Sequence, residues 1–141
     1  MSSKHPIPCP RVVRWTPSPA GLRALSLHQP WAWLIVNGVK DIENRSFRTH
    51  HRGPLLIHAG RKLAGYTEKI EWVKRKYGIS VPLKVDTGGI VGVVDVIDCV
   101  ERHKSKWFEK GNFGWVLANP RRLNFRTSKG ALRLFRPEYS K

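Results

Sequence analysis

The sequence predicts a small α+β domain whose strands form a partly closed β-barrel. Three observations support this fold class: two segments with helical features, six segments with the composition of strands, and a length of 141 residues, which suits one domain with a real core. A partly closed barrel leaves few strand edges free to pair with other chains. We find no internal repeat and no low-complexity tract, which excludes a repeat architecture.

The first residues differ in composition from the rest of the chain. Residues 1–21 are basic and rich in proline, so we expect an extended lead-in there, followed by the domain over residues 22–141. The prolines of this lead-in are Pro6, Pro8, Pro10, Pro17 and Pro19.

The first half of the domain predicts a strand, a helix and two further strands. Alternating residues in LRALSL predict a short strand over residues 22–27. In PWAWLIVN, Pro30 fits the first turn of a helix, and Gly38 supplies the left-handed residue that ends it. The segments KDIENRSF and GPLLIHAG then predict strands on either side of a basic turn.

The second half predicts a helix and three strands. In YTEKIEWVKRKYG, a single apolar stripe is formed by Tyr66, Ile70, Val73 and Tyr77, and Gly78 marks the helix end. The segment GGIVGVVDVIDCV is almost continuously apolar, which predicts the most buried strand. Two last strands are expected in FGWVLANP and ALRLFRP, joined by the basic segment RRLNFRTSKG.

Charge is the most unusual property of the chain. Twenty-six Lys and Arg residues against ten Asp and Glu residues give a formal net charge of +16, and both ends of the chain are cationic. A domain this basic attracts polyanions, among which nucleic acid is the commonest, so we expect RNA or a nucleotide as the partner. An anionic membrane surface is the alternative, but we find no basic amphipathic helix of the kind that binds one.

Several other classes of protein are disfavoured. Cys9 and Cys99 are isolated, without a histidine at ligand spacing, which argues against a structural zinc site. Cys99 ends an apolar run and is expected to be buried. The longest fully apolar run, residues 31–36, is too short to cross a bilayer, and residues 1–10 lack the apolar core of a signal peptide. We therefore expect a cytoplasmic protein without a metal, a cofactor or a membrane partner.

One long stretch, LSLHQPWAWLIVNGVKDIENRSFRTHHRGPLLIHA, resembles the opening of ASCH domains, the activating-signal-cointegrator homology family. The family signature, G-x-K-x-x-E-x-R, is matched by Gly38, Lys40, Glu43 and Arg45. The segment FGWVLANPRRL and the later KGALRLF resemble the end of such domains, so the resemblance covers roughly residues 22–136.

This resemblance implies a PUA-like fold, a small β-barrel with flanking helices and a cleft near the signature, and it implies RNA as the partner. Some bacterial members are enzymes: one branch removes the acetyl group from N4-acetylcytidine, and ribonuclease activity is attributed to others. In the amidohydrolase branch the signature Lys is catalytic and Thr stands where this chain has Glu43. Lys40 therefore carries over and the threonine does not, which weakens the deacetylase hypothesis.

The signature residues Lys40, Glu43 and Arg45 are the candidate site. Glu43 and Arg45 share a strand face, whereas Lys40 meets them only from a turn or a bulge. Together, the two cations would bind a phosphate or a base carbonyl, and Glu43 would accept from an exocyclic amine. In an enzyme, Glu43 would act on a water molecule while Lys40 stabilises an oxyanion. The alternative is a structural ion pair between Glu43 and Arg45 with no chemical role.

Aromatic and basic residues extend this candidate site. Trp31 and Trp33 point about 200° apart on a helix, and we choose Trp31, nearer the helix start, as the base-stacking residue, with core packing as the alternative. The basic segment near the end of the chain is a candidate contact for the nucleic-acid backbone, and a solvated loop is its alternative. Its cations are Arg121, Arg122, Arg126 and Lys129.

Further groups would be needed for catalysis. His28 and His58 are candidate acids or bases for cleavage at a 2′-OH, with a structural role as the alternative for each. The resemblance to the amidohydrolase branch implies a second, distant carboxylate beside Lys40, and Asp98 and Glu101 are the candidates. We predict an RNA- or nucleotide-binding domain. The alternatives are hydrolysis of RNA or of a modified nucleobase, and a protein-interaction module.

Overall fold

The computed structural model describes residues 12–13 and 22–139. Within them it contains two helices and a curled seven-stranded sheet, which confirms the predicted α+β, PUA-like half-barrel. In chain order the elements are β1 (Val12–Val13), β2 (Ala24–Leu27), α1 (Trp31–Val36), β3 (Ile42–Arg45), β4 (Gly53–Ala59), α2 (Tyr66–Tyr77), β5 (Gly89–Val100), β6 (Phe113–Thr127) and β7 (Leu134–Phe135).

The sheet has the strand order β1-β6-β5-β4-β2-β7, and β3 pairs with β6 outside this path. β2 runs parallel to β4 and β1 runs parallel to β6, whereas the other pairs are antiparallel. Among the described residues, Trp115 of β6 is the largest fully buried side chain, and it packs with apolar residues of β2, α1, β4 and β5. The predicted most buried segment, β5, has six consecutive buried residues at its start.

The end of α1 sets the position of the signature. Gly38 has a φ of 76°, as its predicted role in ending the helix requires. The backbone N–H groups of Val39 and Lys40 then both donate to the carbonyl of Leu34, at 2.9 and 3.0 Å. The chain turns sharply here, so Lys40 lies immediately before β3.

The second helix follows its predicted pattern. Tyr66 and Val73 are buried, and Gly78 caps the helix with a φ of 72°. Leu34 of α1 and Ile42 of β3 belong to the same apolar cluster as Val73. The apolar stripe therefore holds α2 against the part of the domain that carries the signature.

The prediction for the basic segment was wrong in one respect. Residues expected to form a loop continue β6, which runs over fifteen residues, and only Leu134–Phe135 remain of the last predicted strand. Three register shifts between β5 and β6, and a positive φ at Asn119, bend the pair and accommodate the polar residues. Leu123 is buried, so this part of β6 still contributes to the core.

Part of the proline-rich lead-in belongs to the sheet. Val12 and Val13 pair in parallel with Arg122 and Leu123 of β6. The other residues of the predicted lead-in, 1–11 and 14–21, including Cys9, lie outside the described residues.

Cys99 is buried at the end of β5, as predicted. No described helix has both the length and the apolar character needed to span a membrane. Residues 12–13 and 22–139 also contain no group of three His, Cys, Asp or Glu side chains arranged to hold a metal ion.

We expect Gly92→Ala to lower the free energy of unfolding by about 1–3 kcal/mol, because the added methyl group overpacks the barrel. A Cβ at Gly92 would lie 2.5 Å from Cγ1 of Val36 and 2.6 Å from the carbonyl oxygen of Arg121. Gly60→Ala is the control, since its Cβ would meet nothing closer than 3.6 Å. Urea denaturation measures both variants, and equal midpoints would contradict this account of the packing.

Candidate functional site

The three charged signature residues meet at the start of β3. Lys40 Nζ lies 3.4 Å from Glu43 Oε1, and Arg45 Nε lies 2.9 Å from Glu43 Oε2. Lys40 approaches from the turn before the strand, which is the arrangement that its opposite parity requires. The Lys40 and Glu43 side chains are only 8% and 11% exposed, so these charges are paired where water screens them little.

Backbone groups hold the two cations in place. Lys40 Nζ donates to the carbonyl of Ile42 at 2.6 Å, and Arg45 Nη2 donates to the carbonyl of Ser26 at 3.3 Å. The Nε–H of Arg45 makes no directed hydrogen bond, so its contact with Glu43 is one of charge. A carboxylate accepts about four hydrogen bonds, and Glu43 therefore keeps accepting capacity for a ligand.

A cavity of about 190 Å³ lies beside these charges, and we call it the aromatic cavity. Pockets for drug-sized ligands measure roughly 300–1,000 Å³, so this volume suits a single small ring system. The residues that line it are Trp31, Lys40, Glu43, Asn44, Trp72, Tyr77, Trp107 and Glu109.

Four aromatic side chains form one continuous wall of this cavity. Trp31 and Trp72 meet edge to face with ring centroids 6.3 Å apart, and Trp72 meets Tyr77 in the same way at 5.8 Å. Tyr77 is stacked on Trp107 at 3.9 Å. Lys40 Nζ lies 5.8 Å from the centroid of the Trp31 ring, so the wall adjoins the charged residues directly.

The indole N–H of Trp107 is an unused donor at this site. Trp107 is buried, and its Nε1 has no hydrogen-bond partner among the described residues. A buried donor without a partner costs roughly 1–3 kcal/mol. Protein atoms cover this N–H, so it is not open to the aromatic cavity.

The other candidates from the sequence lie away from the aromatic cavity. Arg121 forms an ion pair of 2.7 Å with Asp95, and the Arg126 guanidinium lies 4.4 Å from a tyrosine ring centroid. Arg122 borders a second cavity, of about 460 Å³, which Trp33 also lines, and Lys129 is exposed. The basic segment and the signature are therefore not brought together in one pocket.

Gly38, His28 and His58 also do not line the aromatic cavity. Gly38 acts through the backbone turn that places Lys40. His58 is buried, with Nδ1 2.9 Å from Ser26 Oγ and Nε2 2.7 Å from the carbonyl oxygen of Ser128. Since both ring nitrogens have partners within the protein, His58 has the structural role that was the alternative to catalysis. His28 is exposed and does not line the aromatic cavity.

Two aromatic residues of α2 line the aromatic cavity although we did not choose them as site residues from the sequence. Trp72 lies off the apolar stripe of α2 and is 38% exposed, which is unusual for a residue of its size. Tyr77 was assigned to the stripe, but its ring also reaches the cavity.

Asp98 and Glu101, the candidates for a second carboxylate, do not line the aromatic cavity. Asp98 pairs with Arg52 and Glu101 pairs with Arg48, both on the surface, whereas Glu109 lines the aromatic cavity.

Comparison with known proteins identifies the family. A model of the ASCH domain matches residues 25–126, which include the signature and every residue of the aromatic cavity. The chain belongs to the ASCH domain family. This ASCH domain is 39% identical over 87 residues to human Activating signal cointegrator 1, and 40% identical over 83 residues to the mouse protein. The matches cover 58% and 55% of this chain but only 15% and 14% of those relatives, so the chain spans a small part of their length.

We expect Glu43→Gln to lower the free energy of unfolding by about 3 kcal/mol, because it leaves two poorly solvated cations without their counter-charge. Asp98→Asn is the control. It breaks an exposed 3.8 Å pair with Arg52 and is expected to cost less than about 1 kcal/mol. Both values come from urea denaturation.

A double-mutant cycle with Lys40→Met and Glu43→Gln measures the interaction free energy between the two side chains. We expect the two changes to be non-additive by about 0.5–3 kcal/mol, because the side chains interact directly. Strict additivity would show that the contact between Lys40 and Glu43 contributes nothing to stability.

Proposed function

We propose that this ASCH domain binds single-stranded RNA, or a nucleotide, by taking one base into the aromatic cavity. The observation that carries the proposal is the aromatic wall beside Lys40 and Glu43. Unstacked bases bind to aromatic side chains through their faces and to polar groups through their edges. The aromatic wall supplies rings for stacking against a base, and the charged signature residues supply hydrogen-bond partners for its edge.

The polar groups of the cavity suit a base with an exocyclic amine next to an acceptor. Glu43 accepts from such an amine, as carboxylates do from N4 of cytosine. Lys40 Nζ is a donor for a carbonyl or a ring nitrogen. Membership of the ASCH family supports this assignment, and so does the formal net charge of +16.

Two lysines lie beside the aromatic wall of the cavity. Lys76 Nζ lies 4.9 Å from the centroid of the Trp72 ring, and Lys106 Nζ lies 5.6 Å from that of Tyr77. Both lysines are exposed, so they can meet the phosphates of a strand whose base is inside. The negative charge of Glu43 is offset by Lys40 and Arg45, which reduces its repulsion of a polyanion.

We expect Trp72→Ala and Trp31→Ala each to weaken binding of single-stranded RNA by about 5- to 150-fold, the equivalent of 1–3 kcal/mol for the removal of one base stack. Fluorescence anisotropy of a labelled RNA at fixed salt measures the Kd. Trp33→Ala is the matched control, because it removes the same side chain from the same helix outside the aromatic cavity. Wild-type affinity in folded Trp72→Ala and Trp31→Ala variants would contradict the proposal.

A second candidate function is hydrolysis, of RNA or of a modified nucleobase. The observation that favours it is that Lys40, Glu43 and Glu109 line the same cavity. A carboxylate can activate a water molecule, and the ammonium group of Lys40 can stabilise the oxyanion that develops on the substrate.

Incubation of the protein in excess with total tRNA, followed by mass spectrometry, tests hydrolysis. A hydrolase would cleave strands or remove a base modification, and its Lys40→Ala and Glu109→Gln variants would lose that activity while keeping measurable RNA affinity. RNA left unchanged by the wild-type protein would count against hydrolysis of tRNA and leave binding as the function.

A further inference from the structure

A second concave surface, with a volume of about 500 Å³, lies between the loop that follows β3 and the start of β7. We call it the basic concavity. Three arginines and two histidines line it, and none of its described lining residues is acidic. Its lining consists of Arg23, Phe47, Arg48, Thr49, His50, His51, Arg133 and Leu134.

Arg133 is held in an unusual conformation at this surface. Its φ is 59°, a region that few residues other than glycine adopt, and such outliers are found preferentially at functional sites. The guanidinium lies 5.2 Å from the centroid of the Phe47 ring, which itself packs edge to face on the buried Trp115. A charged group is thus placed on a rigid part of the core.

The arginines of the basic concavity are available to an anion. Neither Arg23 nor Arg133 has an ion-pair partner among the described carboxylates. Arg48 approaches Glu101 at 3.5 Å, but the two side chains are 50% and 69% exposed, so this pair is weak and easily exchanged.

The basic concavity and the aromatic cavity are neighbours along the chain. Glu43 borders the aromatic cavity and Phe47 borders the basic concavity. The two residues are four positions apart, which spans at most about 14 Å. Arg45 lies between them, with a side chain 24% exposed. The distance between the two surfaces is thus within the span of a short single strand, and Arg45 adds a further cation between them.

We propose that the basic concavity binds the phosphodiester backbone of the RNA strand whose base occupies the aromatic cavity. This inference rests on the proposed function. Guanidinium groups match phosphate oxygens in a two-pronged geometry, and the faces of Phe47 and Leu134 between them suit ribose and base rings. A flat lipid surface has no means of filling a concavity, which favours a flexible strand over a membrane.

The double variant Arg23→Gln/Arg133→Gln tests the inference. We expect weaker binding of a single-stranded RNA of about eight nucleotides, and a slope of log K against log salt that is shallower by about 0.7 for each phosphate that the variant no longer neutralises. Lys62→Gln/Lys74→Gln is the charge-matched control, because both lysines are exposed and line neither the aromatic cavity nor the basic concavity, and we expect it to keep the wild-type slope. Arg23→Gln/Arg133→Gly removes the same charges with a residue suited to the positive φ, which guards against misfolding.

A nucleoside without phosphate separates this inference from the proposed function. We expect Trp72→Ala to weaken binding of both nucleoside and RNA, and the arginine variants to weaken binding of RNA alone. If the folded arginine variants keep the wild-type RNA affinity and salt slope, the backbone site is overturned. This holds even if Trp72→Ala weakens RNA binding as expected.

Two other results are informative. Loss of RNA binding in the arginine variants, with none in Trp72→Ala, would support a backbone site in the basic concavity and contradict the base site in the aromatic cavity. The arginine variants could instead lose binding to anionic lipid vesicles while keeping wild-type RNA affinity. That result would identify a membrane surface as the ligand and overturn the inference.

Discussion

The pairing of Glu43 with two cations is the interaction on which the arrangement of this domain depends. Lys40 comes from the turn after α1, Arg45 reaches the carbonyl of Ser26 in β2, and Glu43 lies opposite Trp115 of β6. The ion pairs of Glu43 therefore connect β3 with the end of α1 and with β2, and the strand that carries Glu43 pairs with β6. Apolar side chains would often stabilise such a position equally well, so the presence of charged groups here is consistent with a role in binding. The structural and functional interpretations of the signature are compatible, because the same carboxylate that joins the elements borders the aromatic cavity.

Much of the fold was predictable because its signals are local. Gly38 and Gly78 mark helix ends through their positive φ values, and the apolar stripe of α2 is visible within twelve residues. The convergence of Lys40 with Glu43 followed from parity, since a turn is the simplest way to bring them together. Each of these predictions uses residues a few positions apart, where the covalent chain itself limits the geometry.

The remaining features depend on contacts between distant residues, which local patterns do not contain. Trp107 and Glu109 reach the aromatic cavity because Asn44 donates to the carbonyl of Trp107 and accepts from the backbone N–H of Glu109, each at 2.9 Å. More than sixty residues separate these partners. The length of β6 has the same origin, because glycines on β5 let the β6 backbone approach where polar residues had suggested a loop.

The position of β2 has a consequence for the order in which the domain is completed during synthesis. β2 lies early in the chain, yet its two neighbours are β4 and β7, and β7 comes last among the described strands. One edge of β2 therefore stays unpaired until Leu134 and Phe135 leave the ribosome, and such an edge invites pairing with other chains. Arg133 arrives just before them. The basic concavity is thus completed later in synthesis than the aromatic cavity, and a chain that stops short of β7 would lack it while already containing every residue of the aromatic cavity.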